Sequence, residues 1–415
     1  MGLGPSIKMT TLHHYNCPVT EELLQDSQVD FAGIIVDGVS EVYDDKIFTA
    51  KRVGDIGKMM GADGAIVAID GWGNHHIDFV NVIEQLGIRG IPSVRLSYLG
   101  QQGRLVCSNS YVDCIIDFNK SEFGYESCVV GENNLIPTDA WKAVSILKSK
   151  LRKKGIIPNL QIEEKRMGTL ITRKYNIEKV IFEKKTGIEG KILCINKDLE
   201  SEFFNSESDP YIKAVNIRLI PPSERDCFVN SNLDFSPIAC KKRGELGEGI
   251  TLELSGVTLM LTGVEEGGFQ PSNIGSSEGI LKDAVVFDRA GTPKSTDYIL
   301  NVDFTFKEGG GREAEGIRAA HKIGDLIIQR IRRELISSSD NLPYHTVNRP
   351  WIGRRGNPGI ILVKIVSGLG NMYDTAMFPF EPGGFLGSRD MKASKNLPYI
   401  ITPLQCVDGA IHSLL

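Results

Sequence analysis

Short apolar runs alternate with helical-period stripes through the first third of the chain. Phe31–Val36 (FAGIIV) and Ala65–Ile69 (AIVAI) are apolar stretches of strand length, the pattern of strands buried on both faces, and Ile91–Leu96 supplies a third. Between them, Thr49–Met60 sets Val53, Ile56 and Met60 at helical spacing before Gly61. Ile77–Leu86 sets Ile77, Val80, Ile83 and Leu86 on one face before Gly87. Thr138–Lys154 closes the segment, with Ala140, Val144, Leu147 and Leu151 as its apolar stripe. Arg152, Lys153 and Lys154 suit its negative C-terminal dipole, Gly155 ends it, and Thr138, after Pro137, reads as its N-cap. Strand–helix–strand–helix–strand with short links implies right-handed crossovers and a parallel sheet.

Beyond residue 156 the pattern changes. Strand-like runs recur at Lys179–Phe182, Lys191–Ile195, Ala214–Leu219, Ile250–Leu254, Thr258–Leu261, Ala284–Phe287 and Ile299–Thr305, separated by Gly, Pro, Asn and Ser. Arg312–Leu335 then reads as one long helix, and Gly359–Val366 as a buried strand. The expected fold class is therefore α/β: an N-terminal parallel sheet with flanking helices over 1–155, a linker over 156–170, and a C-terminal, strand-rich α+β domain over 171–415.

The chain has 415 residues, 41% hydrophobic and 24% charged, which is the composition of a globular protein rather than a disordered one. Its net charge of −5 argues against nucleic acid as a partner, since phosphate binding calls for a basic face. No apolar run approaches the roughly 20 residues of a membrane span, and the first residues lack the apolar core of a secretory signal. A cytoplasmic location and reduced thiols are expected. The eight cysteines form no Cys-x-x-Cys pair and no His/Cys cluster, so neither structural zinc nor an iron–sulfur cluster is expected. Taken singly, each cysteine reads as a buried structural thiol.

Candidate chemistry concentrates where strands end. Two strands finish in the same dipeptide, Asp37-Gly38 and Asp70-Gly71. The second continues through Trp72, Gly73, Asn74, His75, His76 and Ile77 to Asp78. Ligands of parallel α/β sheets sit beyond the carboxyl ends of the strands, so this loop is the first candidate site. The plainer alternative is that Asn74 or Asp78 only caps the helix. His13-His14 forms a second imidazole pair, which taken alone reads as a surface feature. The glycine-rich stretch from Gly263 to Gly279 reads as a wide loop. Gly309-Gly310-Gly311 before the long helix fits neither the Walker nor the dinucleotide fingerprint, which disfavours a nucleotide-binding dehydrogenase.

Several stretches resemble the proproteins of the pyruvoyl-dependent amino-acid reductases, the D-proline reductase and the component B proteins of glycine, sarcosine and betaine reductases. They are Thr10–Asn16, Asp63–Ile91, Val112–Glu132, Gly247–Glu278, Glu313–Leu326 and Pro403–Ile411. In that family the proprotein cleaves itself before a cysteine that becomes an N-terminal pyruvoyl group. A selenol or thiol on a partner subunit then drives reductive C–N cleavage of a small amino acid, the chemistry of Stickland fermentation. The present chain resembles the family with its halves in the opposite order. The resemblance places the pyruvoyl-forming cysteine soon after the Asp-Gly-Ala-Ile segment, yet here Asp408–Ile411 runs into His412, and residues 1–9 hold no cysteine. No cofactor is therefore expected.

The resemblance implies an unprocessed, oligomeric subunit of a reductase of this type. The alternative is a non-catalytic binding or assembly paralogue of the proprotein. The catalytic candidates are His13, His14, His75, His76, Cys17 and Cys406, with Asp70, Trp72, Asn74 and Asp78 binding substrate. The fold is expected to bring His13 or His14 into one pocket with His75 or His76, and one of these histidines is expected to protonate the leaving amine.

Overall fold

The computed structural model describes residues 10–39, 42–69, 75–97, 103, 105–120, 129–159, 163–268, 278–366 and 398–411. In chain order the strands are β1 (Asp30–Gly38), β2 (Gly64–Ile69), β3 (Ser93–Ser97), β4 (Ile115–Asp117), β5 (Glu163–Asn176), β6 (Lys179–Glu183), β7 (Gly187–Glu189), β8 (Ile192–Asn196) and β9 (Ile212–Ile220). They continue with β10 (Phe228–Val229), β11 (Ser231–Arg243), β12 (Gly249–Glu265), β13 (Gly279–Ile280), β14 (Tyr298–Phe306), β15 (His345–Arg355), β16 (Gly359–Val366) and β17 (Tyr399–Ile401). The helices used below are α1 (Thr11–Tyr15), α2 (Pro18–Gln25), α3 (Tyr43–Met59), α4 (His75–Ile88), α5 (Pro137–Lys153), α6 (Leu281–Ala284) and α7 (Ala314–Ser338).

The first sheet has the order β17-β1-β16-β2-β3-β4, with β1, β16, β2, β3 and β4 parallel and β17 antiparallel at the edge. Its two faces carry separate cores. Ile34, Val36, Ile66, Ala68, Val94, Leu96, Ile360 and Leu362 pack under α2 and α5. Ile35, Ala65, Val67, Ile69, Ile361, Val363 and Ile365 pack under α3 and α4. The parallel α/β architecture expected for the first third is present, with α3 and α4 as its crossovers. Helix α5 begins two residues earlier than the N-cap reading of Thr138 implies. Ile136 is the N-cap and Pro137 takes the first helical position, where a fixed φ and a missing N–H are suited, while Asp139 reaches back to the Ile136 N–H at 3.2 Å.

The second sheet runs β15-β5-β12-β14-β9, with β11 paired along the 17-residue β12. Strand β12 pairs parallel with β5 through its first half and parallel with β14 through its second, so it is the spine of the sheet. Helix α7 lays Ile317, Ala320, Ile327, Ile331 and Leu335 on this core. A small sheet, β6-β8-β7, joins the same core through Val180, Ile188 and Leu193. The two runs expected at 250–254 and 258–261 are one strand, and the strand expected over 284–287 is instead the end of α6 followed by a single bridge at Val285.

The division of the chain also differs from the expected one. Strand β5 starts at Glu163, inside the stretch expected to be a linker, and β16 and β17 leave the second half to complete the first sheet. The physical reason is visible in β16: GIILVKIV is apolar on both faces, and only a central position between β1 and β2 buries both. The two halves are thus joined by shared strands, not by a tether. No helix among the described residues is long and apolar enough to cross a membrane.

Candidate functional site

Helix α1 is short, and its polar ends decide where it sits. Thr10 caps it, its hydroxyl accepting from the His13 N–H at 3.3 Å and donating to the Gly291 carbonyl at 2.7 Å. Thr11 donates from its backbone N–H (2.9 Å) and its hydroxyl (2.6 Å) to the buried Asp234 carboxylate on β11. The Tyr15 hydroxyl donates to Glu253 on β12, which also accepts from Lys174 at 2.8 Å. The second sheet therefore grips α1 from below. Its upper side presents His13, His14 and, past the turn at Asn16, Cys17 to the carboxyl edge of the first sheet. Pro18 opens α2 at once, fixing Cys17 at the corner.

Facing them is Lys364. On β16 the residues Ile360, Leu362 and Val366 share one face, and Lys364 takes the same face next to Val36 and Ala68. It is buried to 6% exposure. Its ammonium donates to His14 Nδ1 at 3.1 Å and to Cys406 Sγ at 3.4 Å. Cys406 ends the short helix Pro403–Cys406, capped by Thr402 with Gln405 reaching back, and its thiol donates to the His14 carbonyl at 3.4 Å. Asp408, two residues on, anchors this segment to the second sheet. Its carboxylate accepts from the Gly247 N–H (2.8 Å), the Thr251 hydroxyl (2.8 Å) and Lys241 (2.9 Å).

The electrostatics of this cluster are those of a thiolate beside a cation. The hydrogen bond from Cys406, together with the Lys364 charge, holds the Cys17 thiol well below the usual range although burial opposes this. Cys406 is pushed well above the usual range by its bond with Cys17 and by burial. Burial alone would depress Lys364, but the two sulfurs opposite it win and raise it. Both histidines are pushed toward the neutral form, His13 to about 4 by burial and His14 well below its usual value by burial and then by Lys364. Both ring nitrogens of His13 and Nε2 of His14 have no hydrogen-bond partner among the described residues. A cavity of about 20 Å³ lies among His13, His14, Cys17, Ala68, Leu135 and Lys364. That volume accommodates a water molecule.

His75, His76 and Asp78 lie elsewhere. They open α4, which covers the opposite face of the first sheet, and neither His75 nor His76 lines the cavity at His13 and His14. The expected shared pocket is therefore not formed by these residues: strand alternation sends Lys364 to one face and its neighbour Ile365 to the other. Asp78 pairs with the buried Lys46. Asp37, at the end of β1, is fully buried with no hydrogen-bond partner on either oxygen among the described residues, and burial, then the Asp78 charge, raises its pKa well above the usual value. His75 is pushed to about 4 by burial and Lys46, and His76 to about 4 by burial. The His76 ring packs so closely on Gly103 that a Cβ there would fall 2.3 Å from it. Asp70, Trp72 and Asn74 lie outside the described residues, as do most of the glycine-rich loop after β12 and His412.

Sequence reasoning missed Lys364. The signal was present, because a single lysine inside an otherwise apolar, two-face-buried strand must find a partner for its charge. Cys17 and Cys406 were singled out from the sequence, and the fold brings them together with both histidines of α1. No group of three or more His, Cys, Asp or Glu among the described residues is arranged to hold a metal ion.

Comparison with known proteins bears on the chemistry of this cluster. Residues 3–115 match the family model described as glycine/sarcosine/betaine reductase component B subunits. The chain is 31% identical over 253 residues to the D-proline reductase proprotein of Acetoanaerobium sticklandii, a match covering 61% of this chain and 40% of that one. It is 34% identical over 94 residues to the betaine reductase complex component B subunit alpha of Peptoclostridium acidaminophilum, covering 22% of this chain and 21% of the relative. It is 28% identical over 116 residues to the glycine reductase complex component B subunits alpha and beta of the same organism, covering 27% and 26%. The chain thus spans less than half the length of these curated relatives. No solved structure matches it. Over these stretches the chain is similar to the D-proline reductase proprotein and to component B of the glycine and betaine reductases.

Proposed function

We propose that this chain works as a subunit of a D-proline/glycine-type reductase, in reductive cleavage of the C–N bond of a small amino acid, with a partner subunit that supplies the reducing thiol or selenol. The observation that carries the reading is the convergence of Cys17, Cys406, His13, His14 and Lys364 at the carboxyl edge of the parallel sheet. Reductive cleavage breaks the C–N bond, delivers two electrons and a proton to carbon, and gives the departing nitrogen a second proton. Two thiols oxidised to a disulfide balance it.

The protonated groups in this cluster are the Lys364 ammonium and the Cys406 thiol, so they are the proton donors to the leaving amine. His13, neutral at pH 7 with a pKa of about 4, is not the acid in this reading. This changes the role expected of the histidines. In this reading the chain works without a pyruvoyl group of its own, since the resemblance places the precursor cysteine soon after the Asp408–Ile411 segment and residues 407–415 hold no cysteine. The complex is read as oligomeric, with the reducing group on another subunit.

The experiment is dithiol-dependent consumption of D-proline, sarcosine and glycine by the purified chain, alone and with a related pyruvoyl-bearing proprotein. Intact mass and carbonyl labelling run alongside. Consumption abolished by Cys17→Ser, with a single unlabelled chain, supports the reading; two fragments, one ending in a keto acid, would overturn the pyruvoyl-free mechanism. The water-sized cavity favours a second reading, a non-catalytic assembly paralogue, since a small amino acid enters only if the surroundings of His13 move apart. A chain that binds the proprotein tightly but leaves its turnover unchanged under Cys17→Ser supports that second reading.

A further inference from the structure

Two cysteines separated by almost the whole chain share one backbone carbonyl. The Cys17 N–H donates to the His14 carbonyl at 3.3 Å, and the Cys406 thiol donates to the same oxygen at 3.4 Å. Thr20, three residues on from Cys17 and in the first turn of α2, places its hydroxyl 3.6 Å from Cys406 Sγ. The Lys364 ammonium donates to Cys406 Sγ at 3.4 Å.

We propose that Cys17 and Cys406 are a redox couple, a dithiol that closes reversibly to an intrachain disulfide by exchange with the disulfide of a reductase partner. The inference rests on the reductase reading of this site. A thiolate is both the nucleophile and the better leaving group in thiol–disulfide exchange, and a fixed cation beside the pair stabilises it in either role. Lys364 is that cation, and the described structure gives its ammonium no carboxylate partner to satisfy instead. The elements covering the sulfurs are short: Cys17 lies on the corner between α1 and α2, and Cys406 ends a four-residue helix. Such segments open at lower cost than the sheet beneath them. Cys240, by contrast, is held in the second core against the Arg332 carbonyl at 3.8 Å.

The exchange balances as follows. The Cys17 thiolate attacks one sulfur of the partner disulfide, the S–S bond breaks, and the other partner sulfur leaves as a thiolate. Cys406 then gives up its proton and attacks Cys17 Sγ, releasing the first partner sulfur. The pair loses two electrons and becomes a disulfide. The partner gains them as one thiol, carrying the Cys406 proton, and one thiolate.

The test is a redox titration of the full chain in glutathione buffers, quenched with acid, unfolded, alkylated with N-ethylmaleimide and digested without reduction. Alkylation at Cys17 and Cys406 should disappear together as the buffer becomes oxidising. A peptide joining the two should appear, and dithiothreitol should remove it. In folded Cys17→Ser or Cys406→Ser chains, the surviving cysteine should form no intrachain link. The proposal is overturned if both cysteines stay alkylatable at every glutathione ratio, or if glutathione caps each separately and no joined peptide forms. The titration needs no turnover. A chain that closes the disulfide yet consumes no amino acid with any partner would overturn the reductase reading and leave the redox couple standing.

Discussion

The Lys364 ammonium sits 3.1 Å from Nδ1 of His14, a residue 350 positions away along the chain. The contact is possible only because β16 returns from the second half of the chain to the middle of the first sheet. It makes Lys364 the hub on which α1, the corner at Cys17 and the Pro403–Cys406 helix all converge.

Replacing that hub should be read first in the thiols. In Lys364→Met the buried cation is gone while the apolar stem is kept, so the thiolate loses its opposite charge. The titration of the pair, followed by ultraviolet thiolate absorbance against Cys17→Ser as blank, should move up by about one unit or more, the size of an opposite-charge effect at close range. An unchanged titration would mean that Lys364 does not stabilise the thiolate.

His13 makes a prediction about stability and pH. Its folded pKa of about 4 lies below the unfolded value of 6.5, because burial disfavours the charged ring. The unfolded chain therefore binds more protons in that window, and stability present above pH 6.5 is lost as pH falls toward 4. His13→Gln removes this liability. The stability of wild type relative to His13→Gln, from urea unfolding at several pH values, should fall by about 3 kcal/mol between pH 7 and pH 4. A difference that stays flat would show that His13 is already solvated or charged in the folded chain.

The limits of the sequence reading follow from what kind of contact each residue makes. Strands β1 and β2 and helices α3, α4 and α5 were legible because their burial is periodic and local. The pairing of β16 with β1 and β2 was not, since nothing in GIILVKIV says which sheet will cover it. The same non-local step hid Lys364 and separated His75 from His13: periodicity places residues on a strand or a helix, whereas the face of the sheet each helix covers is settled by packing. Cys17 and Cys406 were found by their position along the chain, and the ion that makes them a chemical unit was found only in three dimensions.

Asp408 tests whether the Asp408–Ile411 segment has an architectural role here. Its carboxylate is buried and takes three hydrogen bonds from β11, β12 and the loop between them. Asp408→Ala takes away the carboxylate paired with Lys241, whose side chain is 4% exposed. Breaking a buried pair in this way costs about 3–5 kcal/mol. The variant should melt well below wild type. Asp408→Asn, which keeps the shape and an acceptor, should recover part of the loss. Equal stability of wild type and Asp408→Ala would remove the segment from the set that holds Cys406 in place.

Asp234 carries the opposite pH signature to His13, and the two share one helix as their link. The carboxyl is raised to about 7, since burial outweighs the bonds from the Thr11 hydroxyl and the Thr11 and Phe235 backbone N–H groups. Between pH 4 and 7 the folded chain keeps a proton that the unfolded chain has lost. This contribution to stability is largest in acid and fades as pH rises toward 7. Asp234→Asn is neutral throughout and keeps its shape beneath Thr11. Its stability relative to wild type should therefore improve steadily from pH 4 to 7, by a total of about 3 kcal/mol. Thr11→Val, which removes one of the bonds that pin α1, should cost about 1–3 kcal/mol. It should also weaken the hold on His13 and His14, visible as a faster reaction of Cys17 with small alkylating agents in the folded chain. If Thr11→Val destabilises the chain but leaves Cys17 reactivity unchanged, α1 is not what closes the site, and the corner at Cys17 is held by α2 alone.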